Sequence, residues 1–301
     1  MKRIHLRLPA TSANLGPGFD ALALALRLHL HVEAEAAADL TIEAEGRNPE
    51  ICGTTENNLL IETYRAALSA HGRPFVPLRL RVRNEIPLGM GCGSSAAVRL
   101  AGIALAAHFG GLGWDRVRIL AEASHLEGHP DNAAACWLGG FVASASSGDQ
   151  VHSISLSPPP EWRAVIAMPE LPVATTTSRA TLPESYDRAD VVANLQRVAL
   201  LTAAFATGRS DVIGEAMRDW LHQPWRARVC PLLPRLLPLA GRDGILGAAL
   251  SGAGPAVLLL TASVEASARA CRLVADTVGN SSHVEFLTCE LEREPARINV
   301  F

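Results

Sequence analysis

From residue 21 the chain reads ALALALRLHLHVEAEA, an alternation that puts Leu22, Leu24, Leu26, Leu28 and Leu30 on one face. A period of two predicts a long, half-buried strand, although Ala and Leu are also good helix formers. The same alternation in KRIHLRL (2–8) and PLRLRVRNEIP (77–87) predicts two more strands, and RAVIAMPE (163–170) reads as another. Helical spacing marks NNLLIETYRAALSAHG (57–72), SSAAVRLAGIALAAHFG (94–110) and DRVRILAEASHLEG (115–128). In the second half it marks DRADVVANLQRVALLTAAFATG (187–208), DVIGEAMRDWLH (211–222) and VEASARACRLVADTVG (264–279). PATSANLGPGFD (9–20) reads as a loop. HPDNAAACWLGGFVASAS (129–146) reads as a loop, a small-residue segment and a strand. The run ILGAALSGAGPAVLLLTA (245–262) is interrupted by Gly, Ser and Pro, so it is strand, turn, strand and not a membrane span.

SPPPEW (157–162) is the best linker, which divides the chain into 1–157 and 158–301. The first part is rich in strands with helices to one side; the second mixes strands and helices, so the class is α+β. A chain of 301 residues, 49% hydrophobic, is globular and large enough for two ordinary domains. A net charge of −3 gives no reason to expect nucleic acid or an anionic membrane as partner. Six cysteines, with no CxxC pair and no zinc spacing, together with an N-terminus unlike a signal peptide, predict reduced thiols in a cytoplasm.

Lys2 is the sole lysine. A Walker loop, a protein kinase and Schiff-base chemistry each need one inside the fold. Any bound anion must therefore be held by Arg, backbone N–H groups or a metal.

PLGMGCGSSAA (87–97) sits between a predicted strand and a predicted helix. Free N–H groups of a first helical turn attract anions, and glycines let the backbone approach phosphate oxygens. Ser94 and Ser95 could cap the helix or reach Mg²⁺. The plainer reading is a capped helix after a flexible turn. The length of the small-residue run, GMGCGSS, favours phosphate. Its spacing is neither Walker nor the dinucleotide fingerprint.

These residues resemble the phosphate loop of the GHMP kinases, P-x-G-x-G-L-G-S-S-A-A, with Cys92 where Leu is usual. PATSANLGPGFDALALAL (9–26) is similar to that family's substrate segment, and LSGAGPAV (250–257) to its C-terminal glycine loop. SANLGPGFD, EGHPDNAAACWLGGF, TTTSRATLP and HQPWR resemble, in order, the signatures of the branch that phosphorylates homoserine.

The resemblance implies a two-domain α+β fold. The N-terminal domain would be like ribosomal protein S5, with a left-handed β-α-β crossover. The C-terminal domain would be ferredoxin-like, with the nucleotide at the junction. It implies ATP and L-homoserine as substrates, Mg²⁺ with the ATP, O-phospho-L-homoserine and ADP as products, and a possible homodimer.

The nucleotide would lie on Pro87, Leu88, Gly89, Met90, Gly91, Cys92, Gly93, Ser94, Ser95, Ala96 and Ala97, with Asn58 beside the adenine. Asn58 also suits a helix cap. Ser95 and Glu127 match the metal ligands, with Glu122 as the alternative. Asn14, Asp20, His129, Asp131 and Asn132 would face the substrate; all five also suit turns and caps. Thr175, Arg179 and Arg226 would hold the carboxylate or the moving phosphoryl group, with Arg179 and Ser94 meeting its charge. Asp20 is a candidate base or ammonium ligand, and His129 a second candidate base. Two rivals stand beside this reading: a kinase of the same family for mevalonate or a sugar, and a non-enzymatic nucleotide sensor.

Overall fold

The computed structural model describes residues 3–279 and 283–301; Lys2 lies outside them. In the N-terminal half β1 (Arg3–Asn14) runs antiparallel to β2 (Gly18–Ala36), the long strand expected from the alternation. β3 (Thr41–Gly46) leads through α1 (Pro49–Cys52) and α2 (Leu59–Ala70) to β4 (Leu78–Asn84), which is parallel to β3 and antiparallel to β2. That parallel pair is the β-α-β crossover the resemblance implies.

α3 (Ser94–Phe109), α4 (Arg116–Glu127) and α5 (Asp131–Leu138) follow, then the hairpin of β5 (Phe141–Ser147) and β6 (Gln150–Leu156). α3 and α5 lie on β1 and β2, with α2 and α4 packed beside them. The segment 131–138, read from the sequence as the end of a loop and a small-residue segment of no assigned structure, is a helix. Ala133, Ala134, Ala135 and Trp137 are all buried there, so burial against the sheet supplies what sequence periodicity lacked.

β2 changes character along its length. Leu30, Val32 and Ala34 point inward and alternate with outward-facing residues. A register shift between Pro9 and Ala10 follows, pairing Pro9 with His29 and Ala10 with Leu26. From Leu22 to Leu26 every residue is buried, so both faces are covered there and the strand is half-buried only in its far half. Beside it Ala25 donates to the Gly140 carbonyl and accepts from the Glu292 N–H.

The C-terminal half opens with β7 (Arg163–Pro169), α6 (Thr175–Arg179) and α7 (Arg188–Thr207). By length and composition alone α7 would pass for a membrane-crossing helix. Here it packs on its neighbours through Asn194, Leu201, Ala204 and Phe205. Residues 208–244 were expected to hold a regular helix over 211–222. They form short pieces instead: α8 (Ile213–Ala216), α9 (Gln223–Arg226) and α10 (Leu233–Leu236), with 3₁₀ turns before the first (Ser210–Val212) and after the last (Leu237–Leu239). Asp219 breaks the expected helix by turning its carboxylate onto the backbone N–H groups of Leu221, His222 and Gln223.

β8 (Ile245–Leu250), β9 (Val257–Thr261), α11 (Val264–Val278) and β10 (Val284–Glu290) complete this half. Its sheet has the order β10-β7-β9-β8 and is antiparallel throughout, the β-α-β-β-α-β arrangement of a ferredoxin-like domain. The chain then returns: β11 (Arg297–Val300) pairs with β1 in the first sheet. One core spans both halves, in which Phe141 stacks on Phe205 with centroids 4.1 Å apart and Trp162 meets Phe205 edge-on; a second lies within the C-terminal half, around Val165, Leu233, Leu259 and Val274.

Candidate active site

The glycine loop is bent where it must be. Gly91 and Gly93 have φ of 80° and 71°, in the left-handed region that side chains rarely adopt. A Cβ on Gly91 would lie 2.1 Å from the Ser251 carbonyl oxygen, and one on Gly93 would lie 1.9 Å from Thr11 Oγ1. Bare backbone is thus required at both positions by the walls around them.

Thr11 and the turn after β8 form those walls. The Thr11 N–H donates to the Cys92 carbonyl at 3.0 Å, and the Ser251 hydroxyl donates to the Gly91 carbonyl at 2.8 Å. Cys92 turns inward: its thiol is buried and pushed up to about 12 by that burial, so it is inert packing.

α3 starts at Ser94 with Gly93 as its cap residue and no side chain capping it. The first-turn N–H groups therefore remain available for an anion. Neither serine caps. Ser95 Oγ instead donates to Glu127 Oε1 at 2.7 Å, and Arg99 Nε lies 2.7 Å from the same carboxylate oxygen. Glu122 pairs with Arg118 and faces a separate depression.

A cavity of about 240 Å³ lies over this loop, bounded by Asn14, Asp20, His129, Asp131, Arg179 and Arg226. Val173 to Thr175 and Gly252 to Gly254 close its sides, and Asn132 lies at its edge. Pro87, Leu88, Met90, Cys92 and Ala97 shape the loop from behind and do not line it. Asn58 is not brought here. Its Oδ1 accepts from the Leu60 and Ile61 N–H groups while its Nδ2 donates to two carbonyls, so its polar atoms are used in capping α2.

On the substrate side, Asn14, Leu15 and Asp20 all have positive φ, of 71°, 49° and 56°. Left-handed backbone at three non-glycine residues in one short loop is the kind of strain that marks a functional segment. Asn14 holds it in place, accepting from the Asp20 N–H and donating to the Gly252 carbonyl. Asp20 receives a two-pronged grip from Arg179, at 2.6 and 3.1 Å.

Arg226 is 1% exposed and makes no ion pair among the described residues. It donates to the Gly252 carbonyl at 3.1 Å and to His222 Nδ1 at 3.2 Å, and its Nε has no partner. Burial, then repulsion from Arg179, lowers its pKa. Both guanidiniums lie over the ring of Phe19, at 5.4 Å for Arg179 and 5.2 Å for Arg226.

Across the cavity His129 Nδ1 lies 2.6 Å from Asp131 Oδ1. Burial acts to lower His129, but the hydrogen bond and charge of Asp131, helped by Asp20, outweigh it and the net shift is upward. Asn132 accepts from the Thr11 hydroxyl at 2.6 Å, which joins this group to the loop. Two cationic guanidiniums and a set of free amides thus converge on one small cavity from opposite sides, an arrangement suited to a dianionic or polyanionic ligand beside a second anionic one.

Known proteins carry the same architecture. The family model described as GHMP kinases N terminal domain matches residues 58–140, and that described as GHMP kinases C terminal matches 201–276. A homoserine kinase of Solibacter usitatus is 44% identical over 258 residues, covering 85% of this chain and 84% of its own. The chain belongs to the GHMP kinases.

A homoserine kinase of Thermus thermophilus is 43% identical, covering 86% of this chain and 87% of its own. The crystal structure of homoserine kinase from Cytophaga hutchinsonii superposes with a TM-score of 0.83 at 25% identity, covering 99% and 97% of the two chains. The L. major mevalonate kinase in complex with R-mevalonate, at 13% identity and a TM-score of 0.71, shares the fold. As a member of this family the chain is a small-molecule kinase with ATP as co-substrate.

Several residues of the site carried no signal of their own in the sequence. Phe19 lies inside a quoted motif but reads as core. Asp219, His222 and Gln223 act from behind: His222 Nε2 donates to the Gly16 carbonyl at 2.7 Å, and Gln223 Oε1 accepts from the Leu250 N–H. Arg99 is legible only as the residue one helical turn beyond Ser95.

Proposed function

We propose that this protein is a homoserine kinase: it transfers the γ-phosphoryl group of ATP to the side-chain hydroxyl of L-homoserine. The observation that carries the substrate is Arg226. A buried guanidinium without a counter-ion is costly, and a ligand carboxylate placed against its free Nε relieves that cost. Mevalonate would also present a carboxylate, but it has no ammonium for an acid at the position of Asp20 to receive. Here Asp20 keeps lone pairs beyond those taken by Arg179, and these suit the ammonium of an amino acid.

In this reading the amides from Gly91 to Ser95 cradle the nucleotide's phosphates without a lysine. Ser95 and Glu127 hold Mg²⁺; their oxygens, 2.7 Å apart, are hard donors placed as neighbours in one coordination sphere. When bound, that ion supplies charge neutralisation on the phosphates. Ser94 and Thr175, at the mouths of α3 and α6, flank the path of the moving group. Arg179 meets its charge, and Asn14 fixes the backbone that presents Asp20.

The transition state is loose and charge-spread, so positioning and electrostatics supply most of the acceleration. Neither candidate base is free: Asp20 is held by Arg179, and His129 Nδ1 is engaged by Asp131 at 2.6 Å, whose hydrogen bond and charge raise the imidazole's pKa against the effect of burial. The hydroxyl proton therefore leaves to the phosphoryl oxygens or to water. The protein works in the cytoplasm, in keeping with its six free thiols, and forms a homodimer, in keeping with the apolar side chains Val192, Leu195 and Leu200 that α7 leaves exposed.

The test is a coupled ADP assay with Mg·ATP across L-homoserine, mevalonate, galactose and shikimate. Turnover of homoserine alone supports the reading; turnover of another alcohol in its place, or of none, contradicts it.

A further inference from the structure

The outer face of the N-terminal sheet, opposite its helices, carries three histidines and a set of carboxylates that the kinase reaction does not use. His29 and His31 project from β2, and Glu85 follows the end of β4. Glu85 is pinned to β2 twice: its N–H donates to the His29 carbonyl at 2.9 Å, and its Oε2 accepts from the His29 N–H at 3.0 Å. One donor atom from each of His29, His31 and Glu85 lies within 4.8 Å of the others.

We propose that His29, His31 and Glu85 form a binding site for one zinc-class transition-metal cation, separate from the Mg²⁺ pair in the kinase cleft.

The His29 ring is held from behind by two partners. Its Nε2 lies 2.9 Å from Glu292 Oε2 and 2.8 Å from Arg7 Nη2, which also reaches that carboxylate oxygen at 2.9 Å. The carboxylate fits a proton on Nε2; the guanidinium, which only donates, fits a bare Nε2, so the two partners match opposite tautomers. A cation on Nδ1 selects the first, with Nε2–H on Glu292. In that tautomer the lone pair of Nδ1 and Glu85 Oε2 face each other at 3.7 Å with no proton between them.

Two acceptors at that separation are close to the spacing of neighbouring ligands around zinc, roughly 3.3–3.5 Å for bonds of 2.0–2.1 Å. His31 is half-buried and closes the remaining gap by a side-chain rotation. Glu292 then plays the part of the carboxylate that orients a ligating imidazole from behind.

The surroundings permit a cation. Arg7 is paired with Glu292, and Arg83 with Glu85 Oε1 at 3.0 Å, which leaves Oε2 for the metal. A cavity of about 590 Å³ opens beside His31 and gives access to water and ions. The ring of His5 stacks on His31 with centroids 5.9 Å apart and is in reach as a fourth ligand. Imidazole-rich sites prefer zinc, nickel or copper over Mg²⁺, so the two metal sites sort by ligand chemistry.

The test uses the full chain, stripped of metal and free of nucleotide, titrated with Zn²⁺ against a competing chelator. Wild type binds one zinc equivalent more than His31→Ala or Glu85→Gln, and Glu292→Gln weakens that equivalent by about 10–100-fold. Each variant is checked for an unchanged melting temperature without zinc and for unchanged Mg²⁺-dependent turnover. Zinc raises the melting temperature of wild type and not of His31→Ala. The cluster Asp20, His129 and Asp131 in the cleft also brings three ligand atoms together. X-ray absorption at the zinc edge on wild-type protein with one equivalent separates the two without any variant. Two or three imidazoles around the metal support the proposal. A single imidazole, or equal stoichiometry in wild type and variants, overturns it.

Discussion

Arg179 grips Asp20 through both terminal nitrogens, although the two residues stand 159 positions apart. The pair makes Asp20 an acceptor held in place. Asp20→Asn should raise KM for homoserine steeply while kcat falls by less than about tenfold, the pattern of lost binding and not of lost chemistry. Steady-state kinetics over a range of pH checks it. Loss of the basic group would instead appear as a collapse of kcat together with its pH dependence.

Ser95 and Glu127 share a hydrogen bond at 2.7 Å, whereas Glu122 is turned to Arg118. Glu127→Gln should therefore raise the Mg²⁺ concentration needed for half-maximal rate and lower kcat. Glu122→Gln should leave both within about twofold, as expected of a surface ion pair. Titrating Mg²⁺ at fixed ATP decides between them, and the reverse order would move the metal to Glu122.

Gly93 has no room for a methyl group and a φ of 71°. Gly93→Ala should cost more than about 1 kcal/mol of stability. It should also raise KM for ATP more than KM for homoserine, because the displaced loop is the one that presents the amides. Ala96→Gly, one turn away and free of that clash, should keep the loop intact and serves as the comparison in thermal melts and kinetics.

His222 is fully buried, and both ring nitrogens have partners that fit the neutral form: Nε2 donates to Gly16 and Nδ1 accepts from Arg226. Burial lowers its pKa from 6.5, and Arg226 adds to that against the opposing pull of Asp219. The unfolded chain takes up this proton near pH 6.5 and the folded chain does not. Stability contributed here is therefore fully present above about pH 6.5 and declines as pH falls below it, by at most about 1.4 kcal/mol per pH unit. Melting temperatures of wild type and His222→Gln between pH 7.5 and 5 should converge on acidification; parallel curves would mean that His222 is already charged.

Much of this was legible in the chain. The alternation at 21–36 gave β2, and the bare glycine run before an alanine-rich segment gave the tight turn and the start of α3, because each depends on local sequence. The pairing of Asp20 with Arg179 was not legible, since long-range geometry decides it. The helix at 131–138 was hidden because small residues carry little periodicity and its stability comes from the sheet beneath. Residues 211–222 looked helical by propensity, but the Asp219 side chain captures three backbone N–H groups and turns the chain so that His222 backs Arg226. The outward histidines read as the polar face of a strand, which they are; their meeting with Glu85 and Glu292 comes from register.

The buried guanidinium of Arg226 carries the choice of substrate, and a two-by-two comparison tests it. kcat/KM is measured for L-homoserine and for 3-aminopropan-1-ol, which lacks the carboxylate, with wild type and with Arg226→Ala. Removing either member of a buried charge pair costs about 2–5 kcal/mol. Wild type should therefore prefer homoserine by a factor of about 30–5,000, and the variant should lose most of the preference. A variant that still discriminates against the amino alcohol as strongly as wild type would contradict the assignment of the carboxylate to Arg226.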